Sequence, residues 1–257
     1  METILIKRSL ILIASILLLM AGLLLMTGLA RAAALPVLVL NDTNAPPYTA
    51  PDQSGFLDAV ASAAFRRAGV KLKLVKLPAE RALRNANAGI GDGELTRIAG
   101  LEAQYPNLVR VPEKLIDWTF SAFSKDASIP ARWDVLRQRQ VGHIKGWKIY
   151  EEQLAGAPHV ISVDDAAQLF RLLELDRIEV ALYDRWLGDS LVRQQGIKSV
   201  HAIEPPLATR EMFIYLHKRH AALVPRLAEA LRAIKAEGLY DRLYREKVLA
   251  LTGPAAR

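Results

Sequence analysis

Short apolar runs alternate with helical stripes along residues 36–250, and this alternation restricts the chain to a sheet with helical crossovers. Val37-Leu38-Val39-Leu40 reads as a buried strand. Asn41 to Ser54 is loop, with Pro46, Pro47 and Pro51. Phe56, Leu57, Val60, Ala61, Ala64 and Phe65 then fall on one helical face that Gly69 stops. Lys71 to Leu77 begins by alternating polar and apolar, as a strand does. Pro78 starts another helix, with Ala82, Leu83 and Ala86 on one side and Gly89 at its end. The order is β-α-β-α.

A second block repeats the logic. Strands are predicted at Gln140 to Ile144, Val160 to Val163 and Ile178 to Tyr183. Helices are predicted from Gly146 through Leu154, along Leu169, Leu172 and Leu173 with Asp164 as N-cap, and over Trp186 to Gln195. The chain returns to strand at Met212 to Leu216. Leu223, Leu227, Leu231 and Ile234 then mark a long helix ending at Gly238, and Leu239, Leu243 and Val248 mark a further stripe.

Two such blocks predict two α/β lobes. Polar, proline-bearing joints stand at Lys125 to Arg132 and at Glu204 to Thr209. If both are crossings, one lobe spans 35–127 and 206–257 and the other 128–205. Two crossings make a hinge and a cleft, and strand ends facing that cleft are the expected ligand site.

Residues 1–34 stand apart. Lys7 and Arg8 precede an apolar run from Leu10 to Leu29, and Ala30-Arg31-Ala32 follows. This is the pattern of a cleaved secretory signal, although about 20 apolar residues also suffice for an uncleaved anchor. Either way the body is delivered outside the cytoplasm. The chain has no cysteine, which excludes a thiol nucleophile and a Cys-containing zinc site.

The 34 basic and 27 acidic residues give +7 overall, without a basic run interleaved with aromatics, so nucleic acid is not an expected partner. The five histidines show no metal-ligand spacing beyond the solvated His217/His220 pair. Gly89-x-Gly91-x-Gly93 is not a phosphate loop, and there is no nucleophile elbow. No metal, no cofactor and no catalytic set is expected.

Arg97 follows an expected strand end, on a loop facing the cleft. Its guanidinium suits a bidentate pair with a carboxylate, or else braces a lobe. Glu94, three residues earlier, pairs with Arg97 or meets a cationic ligand group. Asp184 closes the strand Val180 to Tyr183, placed either to meet an ammonium or to cap the helix from Trp186. Trp118 and Phe120 are core packing or a stacking wall. Trp147 opens a helix whose N-terminal amides suit an anion.

The stretches GFLDAVASAAFRRAGVKLKLVKLPAERAL, NAGIGDGEL, VGHIKGWKIYEEQL, LLELDRIEVALYDRWLG and LHKRHAALVPRLAEALRAIKAEGLYDRLY, in this order behind an export signal, carry a resemblance. Over residues 36–250 the chain resembles the bacterial extracellular solute-binding proteins of family 3, the polar amino-acid type. The resemblance implies a two-lobed periplasmic-binding-protein-like fold, with two doubly wound α/β lobes joined by a two-strand hinge. It implies a monomeric, non-enzymatic periplasmic protein that closes over a small zwitterionic or anionic ligand and delivers it to an ABC-type membrane permease.

It also implies that Tyr48 in NAPPYT walls the cleft, that Asp184 binds an α-amino group, and that Arg97 grips the ligand carboxylate. Typical members place that arginine in a Thr-x-x-Arg segment; here Gln104 stands near its place and Arg97 lies five residues after Asp92. The competing expectations are an extracytoplasmic sensing module and a dehydratase of small cyclic acids on the same scaffold.

Overall fold

The computed structural model describes residues 35–250; the expected signal peptide, and the last seven residues of the expected first lobe, lie outside the described residues. Its strands are β1 (Val37–Asp42), β2 (Lys71–Lys76), β3 (Gly93–Ile98), β4 (Leu108–Arg110), β5 (Ile116–Ser124), β6 (Val141–Ile144), β7 (Val160–Val163), β8 (Val180–Asp184) and β9 (His201–His217). The helices are α1 (Phe56–Arg67), α2 (Ala79–Asn87), α3 (Trp133–Leu136), α4 (Lys148–Gln153), α5 (Ala166–Glu174), α6 (Arg185–Gln194), α7 (Val224–Ala236) and α8 (Leu239–Tyr244).

All nine strands join one sheet in the order β2-β1-β3-β9-β5-β8-β6-β7, with β4 also on β9. β1 runs parallel to β2 and β3, as right-handed crossovers through α1 and α2 require. β6 runs parallel to β7 and β8 in the same way. Between these parallel ends, β9 runs antiparallel to β3, and β5 runs antiparallel to β9 and β8. The chain passes from one lobe to the other only through β5 and back through β9.

The helix ends follow local chemistry. Asp58 opens α1 by accepting from the Gly55 amide at 3.0 Å and the Ala50 amide at 2.8 Å. Gly69, at φ +81, turns the chain into β2. The cap of α5 is Asp165, which accepts from Gln168 N at 2.8 Å, and not the expected Asp164. One residue of phase separates these neighbouring aspartates, and the sequence alone does not choose between them.

β9 is much longer than the expected strand at Met212 to Leu216. Ala208 pairs with Phe120 and Ile203 with Ala122, so residues 204–207 face Ser121 alone as a bulge. Pro205 and Pro206, which lack a donor for a ladder, occupy that unpaired stretch. Most buried apolar side chains form one main core, from Leu40, Phe56 and Leu231 to Phe123, Tyr150 and Phe170, beside a smaller cluster around Leu83, Leu108 and Tyr215.

Candidate ligand crevice

The carboxyl ends of β1, β2, β6 and β8 meet across a crevice between the lobes. Three cavities line up along it. A central cavity of about 30 Å³ is bounded by Thr43, Arg97, Trp118, Gly146 and Trp147 among others. Thr43 and Trp147 also bound a neighbour of about 350 Å³, together with Asp42, Lys76, Asp164 and Tyr183. On the opposite flank, Ile98 and Ile149 are shared with a cavity of about 460 Å³ that includes Arg110 and Arg210.

The divider is the turn into α4. Gly146, at φ +85, lies so close to α2 that a Cβ there would fall 2.5 Å from the Glu80 amide nitrogen. From the next turn Lys148 bonds Glu80 at 3.1 Å and Glu151 at 2.8 Å. Burial works against the Lys148 charge, but these two carboxylates outweigh it and hold the ammonium above the ordinary lysine range. The sequence reading missed this pair, because Glu80 and Lys148 are 68 positions apart and each reads as a helix-surface charge.

Arg97 lies inside β3, not on a loop past its end, and is buried. On a regular strand, residues three apart point to opposite faces. The pairing of β3 with β9 slips between Glu94 and Arg97, and the slip brings both side chains together. Arg97 Nε donates to Glu94 Oε2 at 2.7 Å, and Nη2 donates to the Ala79 carbonyl at 2.9 Å. Glu94 also accepts from Asn41 Nδ2 at 3.0 Å. Burial raises the Glu94 pKa, with Arg97 and Asn41 opposing.

Asp184 is completely buried at the end of β8. One oxygen accepts from Trp186 N and Leu187 N, both at 3.0 Å, and caps α6; the other accepts from Thr119 N of β5, also at 3.0 Å. Burial pushes its pKa up to about 7 against these three amide bonds. The Tyr48 hydroxyl lies near enough to Asp184 for each to shift the other's titration, yet no acceptor meets it at hydrogen-bonding geometry.

The structure brings three expected residues into one stack. Tyr48 lies on Trp118 with centroids 6.3 Å apart, and Trp118 on Trp147 at 4.8 Å. Trp147 continues onto Tyr183 at 4.9 Å. Arg97, Trp118 and Trp147 bound the central cavity. Tyr48, Glu94 and Asp184 stand behind, outside the walls of these three cavities. Trp118 is 3% exposed and its Nε1 has no partner.

No family model matches the chain. It is 27% identical over 199 residues to an uncharacterized protein of Shewanella oneidensis, covering 73% of each. A histidine kinase sensor domain with similarity to periplasmic binding proteins superposes with a TM-score of 0.74 at 19% identity, covering 87% of this chain and 100% of that one. An amino-acid ABC transporter substrate-binding protein from Streptococcus pneumoniae, solved with L-arginine, gives 0.70 at 14% identity, with 85% and 97% covered. A mutant of ArgBP from T. maritima gives 0.70 at 19% identity, with 82% and 94% covered. At these identities the likeness shows the fold: the chain is an α/β protein of the two-lobed, periplasmic-binding-protein-like type.

Proposed function

We propose that the protein captures a small zwitterionic or anionic ligand, an amino acid or derivative, in the crevice between its lobes. The observation that carries this reading is the row of cavities at the strand ends, walled by Arg97, Trp118 and Trp147, between halves that the chain crosses through two strands only. The lobes, 35–127 with 206–257 and 128–205, part and close about them, and ligand bridging both walls favours the closed form.

In this reading the mature protein works in the periplasm as a monomer, performs no chemistry, and hands its ligand to an ABC-type permease. Among the described residues no helix is long and apolar enough to cross a membrane. The substrate-binding relatives in fold support delivery to a permease. A second reading is supported by the histidine kinase sensor domain, all of which this chain covers: the same crevice reports a ligand to a membrane partner.

A thermal-shift screen of amino acids, polyamines and organic acids tests capture, since a ligand that binds only the folded state raises Tm. Sequencing the mature N-terminus separates the readings. A start near residue 33 fits a freely diffusing receptor, and an intact Met1 fits a tethered sensor.

A further inference from the structure

The central cavity is walled by hydrogen-bond donors and rings. The polar side chains in its lining are Thr43, Thr96, Arg97, Trp118, Trp147 and Lys148, and among the described residues no Asp or Glu reaches it. The acids that back this cavity are already engaged, and the exposed Asp164 and Glu152 line only the flanking cavities. Glu94 is taken by Arg97 and Asn41, Glu80 and Glu151 by Lys148, and Asp184 by three backbone amides. The Thr96 hydroxyl is taken by Asn44.

Beside the Trp147 indole, two buried donors are left over. The bonds that fix Arg97 use Nε and Nη2, which leaves Nη1 outside the pairing. The Trp118 indole N–H, buried and unpartnered, can only donate. An ammonium group brings three donors and needs acceptors, and here it would meet little besides Thr43.

We infer that the crevice takes a small organic carboxylate with a flat or branched apolar body and no ammonium group. This rests on the capture reading above and narrows its ligand. The carboxylate oxygens accept from Arg97 Nη1 and Trp118 Nε1. The body lies among the rings of Trp118, Trp147 and Phe120, which already stand 4.8 to 6.1 Å apart between centroids. The cavity as it stands holds about two waters, so the ligand enters as the lobes part and Trp147 withdraws. Both cations in the wall are compensated by their own carboxylates, so binding depends on directed donors and changes little with salt.

The test is calorimetric titration of the full-length chain with matched probes: phenylpyruvate, L-phenylalanine and phenethylamine, then 4-methyl-2-oxopentanoate and L-leucine. The expected result is that each oxoacid binds at least about tenfold more tightly than its amino acid, and that the amine does not bind. W118F keeps a ring but loses the donor, and should weaken the oxoacids about tenfold without weakening the amino acids. Amino acids bound as tightly as the oxoacids overturn the inference and leave capture standing. Silence from all five probes also overturns it, and the wider thermal-shift screen then decides capture separately.

Discussion

Lys148 Nζ bonds Glu80 of the opposite lobe at 3.1 Å while also holding Glu151, three residues on in its own helix, at 2.8 Å. One ammonium therefore ties the two walls of the crevice together. Both members of the cross-lobe pair are largely shielded, with side chains 15% and 23% exposed. Glu80→Gln removes the charge and leaves Lys148 its local partner. The closed form should lose about 1–2 kcal/mol relative to the open one. Small-angle scattering of the ligand-free variant should show a larger radius of gyration than wild type; an unchanged radius would remove the pair from lobe closure.

Gly146→Ala attacks the same contact through the backbone. The added Cβ would fall 2.5 Å from Glu80 N and 2.9 Å from the Ala79 carbonyl carbon. Neither can swing aside as a flexible side chain would. The left-handed backbone itself disfavours alanine by roughly 1 kcal/mol. The variant should rest with its lobes apart, Trp147 should lose its stack on Trp118, and tryptophan emission should shift to the red.

Arg97→Ala should weaken ligand binding by about 2–5 kcal/mol. It also strands Glu94, which is 1% exposed, so stability should fall by roughly 3–5 kcal/mol as well. The double change Arg97→Ala with Glu94→Gln separates the two effects. Stability should largely return because no buried charge is left, and binding should not. Denaturant melts and ligand titrations of the three proteins check this, and restored binding in the double variant would place the ligand elsewhere.

Asp184 gives a pH dependence of unusual sign. Its pKa stands near 7 in the folded protein, above that of an exposed aspartate. The folded state then holds a proton that the unfolded chain has released, so this group's contribution is full below about pH 4 and is lost as pH rises to about 7. Glu94 shifts in the same direction, so the comparison must be with a variant. Asp184→Asn keeps the cap of α6 through its amide oxygen but cannot ionise. Wild-type Tm should fall relative to this variant as pH rises from 4 to 8; parallel curves would show that Asp184 is already ionised at pH 4.

The parallel βαβ parts of both lobes were legible because their signals are local. Val160 to Val163 was placed to the residue, and Gly69 and Gly238 stop their helices as expected, both at positive φ. The length of β9 was not legible, because Pro205 and Pro206 argue against a strand and only the bulge opposite Ser121 admits them. The surroundings of Arg97 were hidden for a related reason. A slip in pairing between two strands leaves no mark in either one, and here it turns an arginine from a loop position into the middle of a sheet. Trp118 is read as core packing or a stacking wall and Trp147 as the opening of a helix, but their shared stack depends on residues 29 positions apart meeting across the crevice.

The place of β9 between β3 and β5 has a consequence for how the molecule is made. The stretch Met212 to His217 supplies the middle of the sheet to a lobe whose other strands, β1 to β4, were synthesised a hundred residues earlier. Until that stretch emerges, β3 has an open edge and the first lobe stays unfinished, whereas β6 to β8 can already pair among themselves. A chain with this connectivity matures from its interior insertion outward, and its first lobe closes last.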